Sequence, residues 1–170
     1  MKLLAFDTSS KALSLAILED RELLAQTTLN IKKNHSISLM PAIDFLMASL
    51  DLKPMDLDRI VVSQGPGSYT GLRIAVATAK TLAYTLKIEL VGVSSLLALV
   101  PEKTEGLVIP VMDARRNNVY AGFYRSGQAV RSEEHLSFAD VLEMAGAANQ
   151  SVTFVGETTA FTEQIEAALP

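Results

Sequence analysis

Asp7 and Asp113 are the two carboxylates best placed to do chemistry. Each follows a short apolar run. Each also stands six positions before an alternating apolar series, Leu13, Leu15 and Ile17 in one case and Val119, Ala121 and Phe123 in the other. A duplicated fold with one such turn in each half would bring two carboxylates face to face, an arrangement suited to a metal-bound nucleotide. The competing reading is a pair of Asx turns, each side chain bonding its own backbone. A glycine-rich loop follows in SQGPGSYTGLRIAVATAKTLA, residues 63–83, where Gly65, Gly67 and Gly71 separate an apolar run from a long segment almost without charge. Such a turn can aim N–H groups at a phosphate, with the helix dipole adding attraction. Its spacing fits neither GxGxxG, because Thr70 holds the third slot, nor a P-loop with Gly-Lys-Ser/Thr. Positive φ at glycine and close packing of a helix on a sheet account for the same residues.

Other chemistries lack their parts. The chain has no cysteine, hence no disulfide, thiolate nucleophile or zinc-thiolate site, which fits a reducing compartment. His35 and His135 are far apart, and neither belongs to an HExxH motif. Ser9, Ser10, Ser36, Ser94 and Ser95 offer hydroxyls, but no GxSxG or SxxK arrangement activates one. A net charge of -4 argues against a broad electrostatic grip on nucleic acid and leaves room only for a local basic contact. Arg73, Lys80 and Lys87, spaced by seven, form one such row, with a solvated helix edge as the simpler explanation. No apolar run reaches the roughly 18 residues of a membrane span, and Asp7 comes too early for a signal peptide, so the chain reads as cytoplasmic.

The elements that must position these residues follow from periodicity. KLLAF, ALSLAIL and ELLAQTTL read as three strands, with residues 7–11 as a hairpin turn. SISLMPAIDFLMASL reads as a helix with Ser36 or Ser38 as N-cap and Pro41 in or near its first turn. RIVVS, a helix from Gly71 to Leu86, and IELVGV complete the first part. LVIPVMDARRNNVYAGFY then repeats the strand, Asp, turn and strand order, and FADVLEMAGAA, VTFVG and TTAFTEQIEAAL follow as helix, strand and helix. The pattern predicts an α/β fold with a mixed sheet and an internal duplication, divided in the polar stretch PEKTEG, residues 101–106.

The two helices of the first part stand out. Between Leu72 and Leu86 the only charges are Arg73 and Lys80, and between Ser38 and Leu50 the only one is Asp44. An ordinary surface helix carries one apolar stripe and a charged opposite face. These two are expected to be covered on more than one side, and a second chain is the simpler cover, with Met40 and Met47 as adaptable contacts.

LLAFDTSS, NHSISLMP, SQGPGSYTGLRIAVATAKTLA, VGVSSLLAL and PVMDARRNNVY, in that order and over nearly the whole chain, resemble the bacterial TsaB (YeaZ) family. The resemblance implies an actin-like fold of the ASKHA, ribonuclease H-like type with two related subdomains. These are 1–103, with the interface helices, and 104–170, incomplete because family members typically continue with further strand and helix. It implies a non-catalytic scaffold subunit that pairs with and stabilises a TsaD-like transferase. Their complex installs threonylcarbamoyl on the tRNA adenosine next to the anticodon. A TsaE-like ATPase is the further implied partner, with a homodimer when alone, tRNA reached through the complex, no membrane and no cofactor. TsaD relatives carry an HxxxH pair where Ser95 and Leu99 stand here, and acidic residues where Lys11, Ala12 and Leu13 follow the first turn. Asp7, Thr8, Gly65, Gly67 and Asp113 are therefore expected to form a vestigial nucleotide pocket. Asn118 replaces the acidic residue that usually follows the DARR block. The interface is expected at His35, Met40, Ile43, Asp44, Met47, Arg73, Val76, Ala77 and Lys80. The alternatives are an active actin-like ATPase or small-molecule kinase using Asp7 and the Gly65-Gly71 loop, and a plain homodimer without a TsaD-like partner.

Overall fold

A computed structural model describes residues 1–30 and 35–169 as two compact units, one over Met1–Ser95 and one from Leu96 onward. The division falls ahead of the polar stretch at 101–106 that composition marks as a boundary.

In the first unit, β1 (Lys2–Asp7), β2 (Leu13–Glu19) and β3 (Glu22–Leu29) form an antiparallel meander. They are followed by α1 (His35–Ala48), β4 (Arg59–Ser63), α2 (Tyr69–Leu86) and β5 (Glu89–Val93). The sheet order is β3-β2-β1-β4-β5, with β4 parallel to both β1 and β5. Alternation decides which face is covered. Leu13, Leu15 and Ile17 join Leu4, Phe6, Ile60 and Val62 in a single apolar layer, and Leu39, Ile43, Leu46 and Met47 of α1 close it from above. α2 contributes a stripe of small residues, Ala75, Ala79 and Ala83, that brings its backbone close to β4. The two helices touch each other.

Two local expectations for α1 are corrected. Ser36 and Ser38 lie inside the helix rather than capping it, because the helix already begins at His35. Pro41 sits in the helix interior, beyond the first turn. The missing N–H there leaves the Ile37 carbonyl without its helical donor, and both residues are exposed, so water can take its place. α2 begins at Tyr69, ahead of Gly71, with Ser68 as N-cap.

The second unit repeats the plan. β6 (Leu107–Asp113), β7 (Asn118–Arg125) and β8 (Gln128–Ser137) form a meander, followed by α3 (Phe138–Gly146), β9 (Val152–Gly156) and α4 (Thr162–Ala168). The order is β8-β7-β6-β9, with β9 parallel to β6, which reproduces the β3-β2-β1-β4 arrangement of the first unit. Its core gathers Ile109, Val111, Val119, Ala121 and Val141 around Phe138, whose ring stacks on Phe161 at 4.2 Å. β8 is an element that periodicity did not announce. Its first five residues are all exposed, and its place at the sheet edge asks for no apolar face.

Candidate functional site

The two aspartates end equivalent strands and do equivalent local work. Asp7 Oδ1 accepts the Ser9 N–H at 2.7 Å, and its Oδ2 accepts the Ser9 hydroxyl at 3.0 Å. Asp113 Oδ1 accepts the Arg115 N–H at 2.8 Å. Both are therefore Asx turns with the same two-residue reach. Thr8 is fully buried, and its hydroxyl donates to the Gly71 carbonyl at 2.7 Å. Asn118 closes the second turn by donating its side-chain N–H to the carbonyls of Arg115 and Arg116.

The glycine loop is clamped onto the first of these turns. Ser68 N–H donates to the Ser9 carbonyl at 2.7 Å. A Cβ on Gly67 (φ +149°) would lie 2.5 Å from the Ser9 carbonyl oxygen, and one on Gly71 would lie 1.9 Å from that of Thr8. Gly65 also has positive φ, at +115°. The Ser68 hydroxyl accepts the Gly71 N–H at 3.3 Å, so part of the helix N-terminus is satisfied from within the loop. Close backbone approach and left-handed geometry are thus sufficient reasons for these glycines.

Ser95 and Leu99 stand at the two HxxxH positions. Ser95 is fully buried with its N–H on the Gly65 carbonyl at 2.9 Å, and its hydroxyl finds no partner among the described residues. Leu99 ends a short 3-10 turn. Among the described residues no three His, Asp or Glu side chains converge as a metal site would require. His35 instead ties α1 to the first turn, its Nε2–H donating to the Ser10 carbonyl at 3.1 Å.

The outer faces of α1 and α2 form the most conspicuous surface of the first unit. Ile37 is 70% exposed, Phe45 68% and Met40 45% on α1, with Tyr69 and Tyr84 similarly bare on α2. A groove of about 430 Å³ runs along α2 past Tyr69, Arg73, Val76, Ala77 and Lys80. The Arg73 guanidinium donates to the Tyr69 hydroxyl at 2.7 Å and lies over its ring, so it is pinned to the helix rather than free in solvent. Asp44, Arg73 and Lys80 are exposed charges beside this apolar surface. Two expected interface residues are corrected: Ile43 (3% exposed) and Met47 (5%) point into the unit's own core, on the face of α1 opposite Phe45. The exposed apolar side chains of α1 are instead Phe45, Ile37 and Met40, of which the sequence expectation named Met40 alone. Helical spacing sets Phe45 half a turn away from Ile43 and Met47 but carries no sign of which of the two sides meets the sheet.

Elsewhere a few charges are paired. Arg59 binds Glu89, and Arg131 binds Glu134, whose carboxyl is held below its ordinary pKa by hydrogen bonds from Arg131 and Ser132. Among the described residues no helix is long and apolar enough to cross a membrane.

Residues 22–169 match the family model of TsaD, tRNA N6-adenosine threonylcarbamoyltransferase. The Bacillus subtilis tRNA threonylcarbamoyladenosine biosynthesis protein TsaB is 42% identical over 97% of this chain and 75% of its own length. The structure of YeaZ from Pseudomonas aeruginosa has a TM-score of 0.72 at 32% identity, covering 80% of this chain and 66% of that one. The ADPNP-bound activator of 2-hydroxyisocaproyl-CoA dehydratase from Clostridium difficile has a TM-score of 0.50 at 16% identity over 85% of this chain and 52% of that one, a likeness of fold alone.

Proposed function

The chain belongs to the TsaB (YeaZ) branch of the TsaD-type family, and from that membership we propose that it is a scaffold subunit in tRNA threonylcarbamoyladenosine biosynthesis. Its fold is the actin-like one, present here as two repeats. The scaffold pairs with a TsaD-like transferase and helps recruit a TsaE-like ATPase and tRNA; alone, it pairs with itself. The transfer chemistry belongs to the TsaD-like partner.

One observation carries the scaffold reading. Two adjacent helices each bury one face and leave large apolar side chains bare on the other, with Asp44, Arg73 and Lys80 the charges among them. Large exposed apolar side chains gathered on neighbouring elements mark an interaction surface. Aromatic and methionine side chains are the types enriched in such contacts. The commitments of Asp7, Thr8, Gly67 and Gly71 to the turn and loop support a binding role over catalysis by this chain.

The test replaces Phe45 and Ala77 with Glu, both exposed, so that folding is left within about 0.5 kcal/mol of wild type. The complex with a TsaD-like chain is expected to dissociate on size-exclusion chromatography while circular dichroism stays native. A complex that survives both substitutions would count against the interface.

A further inference from the structure

The β6–β7 turn holds two arginines outward on a backbone of unusual geometry. φ is +72° at Arg115, +55° at Arg116 and +57° at Asn117. Three successive non-glycine residues in the left-handed region are uncommon. Bonds from around the turn over-determine it. Asn118 N–H donates to the Arg115 carbonyl at 3.0 Å, Phe138 N–H to the Asn117 carbonyl at 2.9 Å, and Gln164 Nε2–H to the Asn117 side chain at 3.0 Å. Two nearby carboxylates, Asp113 and Glu157, are turned to backbone work, accepting the N–H groups of Arg115 and Asp113. None of these bonds uses a guanidinium.

Arg115 and Arg116 are exposed, and among the described residues neither makes an ion pair, unlike Arg59 and Arg131. Two residues into β7, Tyr120 is 37% exposed and stands edge to face with His135 at 5.3 Å. In a chain of net charge -4, contact with a polyanion has to be local, and this is a rigid place for it.

We propose that Arg115 and Arg116, with the exposed Tyr120 four residues further along the chain, contact the backbone of the tRNA on which the complex acts. The proposal rests on the functional reading above. A guanidinium fork matches a phosphate in two-point geometry, and an exposed ring offers a face for stacking an unpaired base. An acidic segment of a protein partner would engage the same guanidinium groups without needing the ring, and the test separates the two.

The experiment uses the complex with a TsaD-like chain and a fluorescent, unmodified tRNA transcript bearing adenosine beside the anticodon, titrated by anisotropy from about 50 to 200 mM salt. Arg115→Asn combined with Arg116→Asn keeps residues that tolerate left-handed backbone. Binding is expected to weaken about tenfold near 100 mM salt, with the slope of log affinity against log salt flattened by about 1.5, two contacts' worth. Arg125→Ala, an exposed arginine at the far end of β7, is the control and is expected to change neither. Circular dichroism and complex formation are expected to stay as in wild type. Unchanged affinity and slope in the double variant would overturn the proposal. Loss of the protein complex would do so too, assigning the arginines to a protein partner. A wild-type complex that does not bind the transcript would sink the functional reading itself.

Discussion

Thr8 and Ser9 offer their carbonyl oxygens where two glycines pass, and side chains at those glycines would collide with backbone rather than with something able to move aside. Gly71→Ala is expected to cost about 3 kcal/mol, at the upper end for overpacking, because the Thr8 carbonyl belongs to a turn tied by the Asp7 carboxylate. Gly127→Ala meets nothing within 4 Å and has φ +72°, so only backbone strain of about 1 kcal/mol is expected. Urea denaturation of the two variants measures the difference. Equal midpoints would mean that close approach is not what the loop glycines provide. The aspartates belong to the same account: a carboxylate that accepts an N–H of its own turn positions the loop above it, and Asp7 adds the Ser9 hydroxyl on its second oxygen.

Helix α1 buries one face and bares the other, and the proposed interface assigns folding to the first and association to the second. Met47 is 5% exposed within the first unit's core, so Met47→Ala is expected to destabilise by about 3 kcal/mol, seen as a lowered melting midpoint. Phe45, 68% exposed on the opposite face, is expected to leave that midpoint unchanged when replaced by Glu and to act only on assembly. An equal loss of stability in both variants would show that the two faces are not independent. α2 makes the same division with different means, small residues inward and Tyr69, Arg73 and Lys80 outward. Small residues let the helix lie close to β4 while long side chains reach beyond it.

At the scale of the molecule, the duplication that placed Asp7 and Asp113 in equivalent turns extends to four strands and two helices in each unit. An actin-like ATPase would use such turns for phosphate and metal, whereas here each aspartate is bonded within its own turn. Calorimetry with Mg-ATP is expected to show weak or absent binding, and tight binding with turnover that Asp7→Asn abolishes would reverse that expectation. Much of this was legible in order and period alone: the meander, the two Asp turns, the α/β class and the low charge of both helices are local properties of side-chain alternation and spacing. β8 was not legible, because an exposed edge strand needs no apolar alternation to pair through its backbone. Nor was the inward direction of Ile43 and Met47, since an apolar residue on a helix with little charge carries no label for which side meets the sheet. The sequence by itself determined which segments pair and where the chain must turn. Only the tertiary structure decided which face of each helix is spent on the core and which stays exposed, because that choice depends on where the sheet lies, and the sheet is assembled from strands distant along the chain.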